Sequence, residues 1–141
     1  MTSTSWIDAL PHRPPMRLLQ EVVDVASGQS ATGRRVASPD DFYFQGHFPD
    51  HPVVPAVILV ELLAQTGGIA VAAPQPGDPI APLQLRVAAI GPFKFPAAAG
   101  PGVTLEARAR VAGRVGVLFK IEGEVTADGL LVASGSLTLA G

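Results

Sequence analysis

The sequence predicts an α+β fold in which a curved antiparallel sheet wraps one long central helix. Three observations lead there. Ala56 to Ala73 is an aliphatic run that is apolar on every helical face, the mark of a helix enclosed by other structure. From Val103 the chain alternates, with Glu106, Arg108 and Arg110 on one face and Leu105, Ala107 and Ala109 on the other, as in a half-buried strand. The third observation is element order: two strands, the helix, then four strands. With no repeat and no linker, residues 1–141 read as one domain.

Each element follows from local chemistry. Trp6 to Leu10 can make one helical turn that Pro11 ends, and Pro14-Pro15 forces an extended segment. Met16 to Val25 reads as a first strand, Ser27-Gly28 as its turn, and Gln29 to Ala37 as the returning partner. Pro49, Pro52 and Pro55 recur at every third residue, which no regular element tolerates, so Asp40 to Pro55 is expected to be a stiff loop. Pro55 suits a helix start, where its missing N–H costs nothing. Pro74-Gln75-Pro76-Gly77-Asp78-Pro79 stops the helix. Leu83–Phe93, Val103–Val111, Val115–Val125 and Leu130–Leu139 are the remaining strands, the last two joined by the hairpin signal Asp128-Gly129.

Composition narrows the partners. Hydrophobic residues make up 48% and charged residues 16%, with aromatics only 6%, so the chain has more aliphatic surface than a lone domain hides easily. A second copy of the chain is the expected cover. The formal charge is -2 and no basic run exists, which disfavours nucleic acid and anionic membranes. An acidic carrier protein needs only a local patch of Lys and Arg. Glu61, Gln65 and Gly67-Gly68 inside the aliphatic run argue against a membrane span. Cysteine is absent, which excludes disulfides, thiolate nucleophiles and cysteine zinc sites. The polar start, Met1 to Ser5, leads to no signal core, so a cytoplasmic protein is expected.

The chemistry centres on the helix. Glu61 is its only carboxylate, and a carboxylate among aliphatics is costly unless paired or used. Gln65, four residues on, shares its face. His47 stands fourteen residues before Glu61 in the rigid Gly/Pro loop that feeds the helix. His12 and His51 read as ordinary surface or packed residues.

Gly46 to Gln65 runs Gly-His-Phe-Pro-Asp-His-Pro-Val-Val-Pro-Ala-Val-Ile-Leu-Val-Glu-Leu-Leu-Ala-Gln. It resembles the pattern G-H-F-P-G-x-P-x-x-P-G-V-x-x-x-E-x-x-A-Q of the 3-hydroxyacyl-acyl-carrier-protein dehydratases, without a gap. Leu10-Pro11-His12-Arg13 and Phe93-Lys94 are similar to that family's flanking segments, and the Pro-His-Arg-Pro-Pro-Met wording resembles its aryl-polyene pigment branch. The resemblance implies a hot-dog fold and a homodimer, able to assemble further, whose active sites form between protomers. It implies that His47 of one chain handles the C2 proton while Glu61 of the other protonates the departing hydroxyl. It further implies thioester contacts from Phe48, Gln65 and the backbone N–H of Ala56 or Val57, an acyl-carrier-protein partner, and no metal or organic cofactor.

Asp50 and Ala56 depart from family glycines; Asp50 sets a carboxylate beside His47, and the Ala56 methyl narrows the approach to the thioester. Basic residues that flank the family's Phe-Lys pair are replaced by Pro92 and Phe95, leaving Arg86, Lys94, Arg34 and Arg35 as candidate docking groups. Leu62 and Ile69 are expected to shape the acyl tunnel. Two other readings stay open: another hot-dog thioester enzyme (a thioesterase or an enoyl-coenzyme A hydratase), and a non-catalytic dehydratase-like subunit.

Overall fold

A computed structural model describes residues 4–46, 50–73 and 84–141. Its one long helix, α1 (Ala56–Ala72), follows the predicted run to within a residue. Leu59 and every residue from Leu62 to Ala70 are buried, so the helix is enclosed on nearly all sides over its second half. Among the described residues no helix is long and apolar enough to cross a membrane.

The strands are β1 (Glu21–Ala26), β2 (Ser30–Val36), β3 (Arg86–Lys94), β4 (Thr104–Val115), β5 (Leu118–Ala127) and β6 (Leu130–Ala140). They form one antiparallel sheet in the order β1-β2-β4-β5-β6-β3. The helix packs on β1, β2, β4, β5 and β6, so the sheet curves around it as the hot-dog arrangement requires. The alternation of β4 is realised: Leu105, Ala107 and Ala109 are buried, whereas Arg108 and Arg110 are exposed. On the outer face Arg110 grips Glu124 through two parallel bonds of 3.0 and 3.1 Å, and Arg34 and Arg108 flank Glu106. These solvated pairs add little stability but keep that face polar.

Gly67 explains how closely helix and sheet approach. A methyl group there would sit 2.9 Å from Ile121 Cγ2 on β5, closer than real carbon contacts come. The β5–β6 hairpin turns through Asp128 (φ 47°) and Gly129 (φ 87°), the two left-handed residues that the Asp-Gly pair predicts.

Three boundaries differ from expectation. The first strand begins at Glu21 rather than Met16, because the Gln65 side chain takes the backbone groups of Met16 and Leu18. A short 3-10 turn, Phe42–Phe44, interrupts the predicted loop. Finally, β4 runs on through a bulge between Val111 and Gly113 and turns at Gly116 (φ 58°), not before Val115.

Candidate active site

Glu61 projects from the second turn of α1 and is about a quarter exposed, with 26% of its side chain open to solvent. It lines a pocket of about 190 Å³ with Leu10, His12, Ala64, Gly68, Leu85 and Leu139. It also lines an open apolar groove of about 360 Å³, with Ala56, Val57, Val60, Val87, Ile90 and Phe95. One carboxyl therefore stands at the wall between a small pocket and a broad apolar groove.

Its neighbours fix it. Gln65, one turn further along α1, donates from Nε2 to Glu61 Oε2 at 2.8 Å and to the Met16 carbonyl at 2.7 Å. Gln65 Oε1 accepts from the N–H of Leu18 at 2.9 Å and, more loosely, Leu19 at 3.4 Å. With only 1% of its surface exposed, Gln65 is engaged by protein groups on both ends of its amide. Its bond to Glu61 holds that carboxyl in place.

At the start of α1 no side chain caps the helix, and Pro55 precedes it. Ile58 N–H and Leu59 N–H donate to the Pro55 carbonyl, while those of Ala56 and Val57 find no acceptor among the described residues. These two donors stand at the positive end of the helix dipole, on residues that line the groove with Glu61.

His47 and Phe48 lie outside the described residues. The segment entering that loop is nonetheless firmly held. Tyr43 donates to Asp41 Oδ2 at 2.6 Å, Arg35 pairs with Asp41 Oδ1 at 2.9 Å, and Arg35 Nη1 donates to the Leu18 carbonyl at 2.8 Å. Burial alone would lower the Arg35 pKa, but its bonds to Tyr43 and Asp41 outweigh that and raise it. Burial and the hydrogen bond to Asp41 push the Tyr43 hydroxyl up from 10.0 to about 12.

That shift has a testable sign. Below pH 10 the phenol keeps its proton in both states and its stabilisation is complete. Between pH 10 and 12 only the unfolded chain ionises, so stability falls as pH rises through that window, by roughly 2–3 kcal/mol at most. In urea unfolding followed from pH 8 to 11.5, Tyr43→Phe is expected to cost about 1–2 kcal/mol at neutral pH and to flatten the alkaline fall. An unchanged alkaline fall in the variant would assign it to another group.

The geometry is that of a carboxyl held in place between a pocket and a groove, and comparison with known proteins shows the family. The family model described as FabA-like domain matches residues 10–136. The chain belongs to the FabA-like family. Among its relatives is "3-hydroxyacyl-(acyl-carrier-protein) dehydratase FabZ" of Lactococcus lactis subsp. cremoris, 35% identical over 138 residues, covering 97% of this chain and 92% of the relative. The protein of the same name from Roseiflexus castenholzii is 36% identical, covering 93% and 90%. In structure, this FabA-like chain is similar to a chain of the dehydratase heterocomplex ApeI:P from Xenorhabdus doucetiae. That match has a TM-score of 0.75 and 18% identity, covering 96% and 89%. It is also similar to the PH1136 protein of Pyrococcus horikoshii, with a TM-score of 0.67 and 14% identity, covering 94% and 90%. At these identities the structures establish the fold.

Several expectations about the surroundings change. Arg34 is paired with Glu21 and Glu106 on the outer sheet face, and Arg35 is built into the Asp41 cluster, so neither is free to dock a partner. Arg86 and Lys94 are exposed on β3 and carry no ion pair among the described residues. Leu62 and Ile69, expected to shape a tunnel, are fully buried in the core and line neither space around Glu61. The residue that sequence reasoning missed is His12, whose Nε2 lies 3.5 Å from Glu61 Oε2. The only signal was its place in the Leu-Pro-His-Arg segment.

Proposed function

We infer that this chain dehydrates 3-hydroxyacyl thioesters on acyl carrier protein to trans-2-enoyl thioesters, in fatty-acid biosynthesis or a related polyene pathway. The observation that carries the reading is the Glu61 carboxyl, fixed by Gln65 between pocket and groove. The FabZ names of its relatives supply the reaction. His47 removes a proton from C2, the electron pair forms the C2–C3 double bond, and the C3 hydroxyl leaves as water on taking a proton from Glu61. The N–H groups of Ala56 and Val57 hold the thioester oxygen while negative charge builds on it. Phe48, beside His47, packs against the acyl group. No step calls for a metal or organic cofactor.

Residues 1–141 act as one hot-dog domain, in the cytoplasm, and as a homodimer. Support for the dimer comes from β3, an edge strand beside an apolar groove where Val57 is 73% and Ile90 61% exposed. Such an edge invites pairing with a second copy. The second copy brings its own His47 towards Glu61, and dimers can assemble further. Exposed Arg86, at the small pocket, and Lys94, on the same strand, are the groups left to meet an acidic carrier.

Complementation tests both reaction and assembly. Purified His47→Ala and Glu61→Ala are each expected to make almost no 2-enoyl product from a 3-hydroxyacyl carrier. Mixed in equal amounts and allowed to exchange subunits, they are expected to recover about a quarter of wild-type activity, because mixed dimers keep one intact site. Thioester hydrolysis by the wild type in place of alkene formation sinks the dehydratase reading. Activity without recovery on mixing sinks the shared site.

A further inference from the structure

We propose that His12 is a positioning residue that, with Gln65, tethers one oxygen of Glu61 so that the catalytic proton is carried by the other. This rests on the dehydratase reading and extends it to a residue that reading does not use.

The loop bearing His12 is built to hold still. The His12 carbonyl accepts Arg13 Nη1 at 2.9 Å and Arg17 Nε at 3.0 Å, and the Arg17 N–H donates to the Arg13 carbonyl at 3.0 Å. The same loop is stitched to α1 where Gln65 binds Met16 and Leu18. Loop and helix are therefore tied together, and the backbone brings His12 and Glu61 within reach of each other.

At the carboxyl, both neighbours converge on Oε2: Gln65 Nε2 at 2.8 Å and His12 Nε2 at 3.5 Å. Oε1 has no partner among the described residues. The imidazole contact is long for a hydrogen bond, as contacts at unliganded catalytic groups often are, and a small side-chain rotation tightens it in the substrate complex. An oxygen facing two N–H donors accepts; it does not also carry a proton. The acidic proton is thus directed to Oε1.

The tautomer of His12 follows from the same geometry. Nδ1 is buried without a hydrogen-bond partner among the described residues. A proton on Nδ1 would leave a buried donor unmet and turn a lone pair towards a carboxyl oxygen. A proton on Nε2 places the donor against Glu61, so the neutral ring takes the Nε2–H form.

The test combines kinetics with a spectroscopic signature. His12→Ala is expected to lower kcat by roughly 10- to 100-fold with little change in KM, since a misplaced acid harms the reacting state more than binding. His12→Gln, which restores an N–H donor of similar reach, is expected to recover much of the loss. In protein labelled with 15N-histidine, with the His12 signals assigned by their absence in His12→Gln, the wild type is expected to show Nε2–H and Glu61→Ala to lose that preference. An unchanged kcat in His12→Ala, a rise in KM alone, or a wild-type Nδ1–H spectrum would overturn the proposal. If the wild type makes no enoyl product, the dehydratase reading fails instead, and the 15N arm still decides whether His12 donates to Glu61.

Discussion

Glu61→Gln is expected to lower kcat for dehydration by about 100- to 10,000-fold, the usual worth of a positioned general acid, while leaving the fold intact. The amide matches the carboxyl in shape and keeps an oxygen to accept the Gln65 bond of 2.8 Å, so Gln65 stays in place and its bonds to the first loop survive. What disappears is a proton that can be given up: an amide N–H is far too weak an acid to release a hydroxyl as water. KM should move only a few-fold, because the apolar groove and the N–H groups of Ala56 and Val57 are untouched. Hydration of the enoyl product should fall by the same factor, since both directions share one transition state. Steady-state rates in both directions, beside a thermal melt, check it. A kcat within tenfold of wild type would hand the acid role to another group.

What was legible in the sequence tracks how local the cause is. The helix Ala56–Ala72 and strand β6 are set by periodicity and by turn residues a few positions away, and they match to within a residue, while β4 and β5 match except at the turn that joins them. Glu61 stood out because one carboxylate among aliphatics is conspicuous wherever it is folded. The errors share the opposite property. The start of β1 is decided by Gln65, whose partner Leu18 is 47 residues distant. No window over Met16 to Val25 contains that competitor for its hydrogen bonds. His12 was read as ordinary for the same reason, since the partner that makes it notable lies in another element. The turn after β4 was expected before Val115; instead the strand passes Gly113 at a bulge and turns at the left-handed Gly116. In β3 almost every residue is exposed, so alternation has no inside and outside to report within this chain.

Gln65→Ala is expected to cost about 3–5 kcal/mol of stability, more than any surface change in the chain. Truncation strands the buried Leu18 N–H at roughly 1–3 kcal/mol, removes the part-buried bond to the Met16 carbonyl, and leaves a void where the amide was. Set against a typical total of about 5–15 kcal/mol, that brings the chain close to unfolding at assay temperature. Two substitutions separate the causes. Gln65→Leu fills the void but restores no hydrogen bond, so most of the loss should remain. Gln65→Glu keeps an acceptor for Leu18 yet loses the donor to Met16 and sets a second carboxyl against Glu61, so its stability should worsen as pH rises and both ionise. Urea unfolding of the variants at one protein concentration measures this, the fixed concentration being needed because the proposed dimer's stability would depend on it. A cost below about 1 kcal/mol for Gln65→Ala, the ordinary effect of a point mutation, would mean that water replaces the amide and that the first loop does not depend on α1.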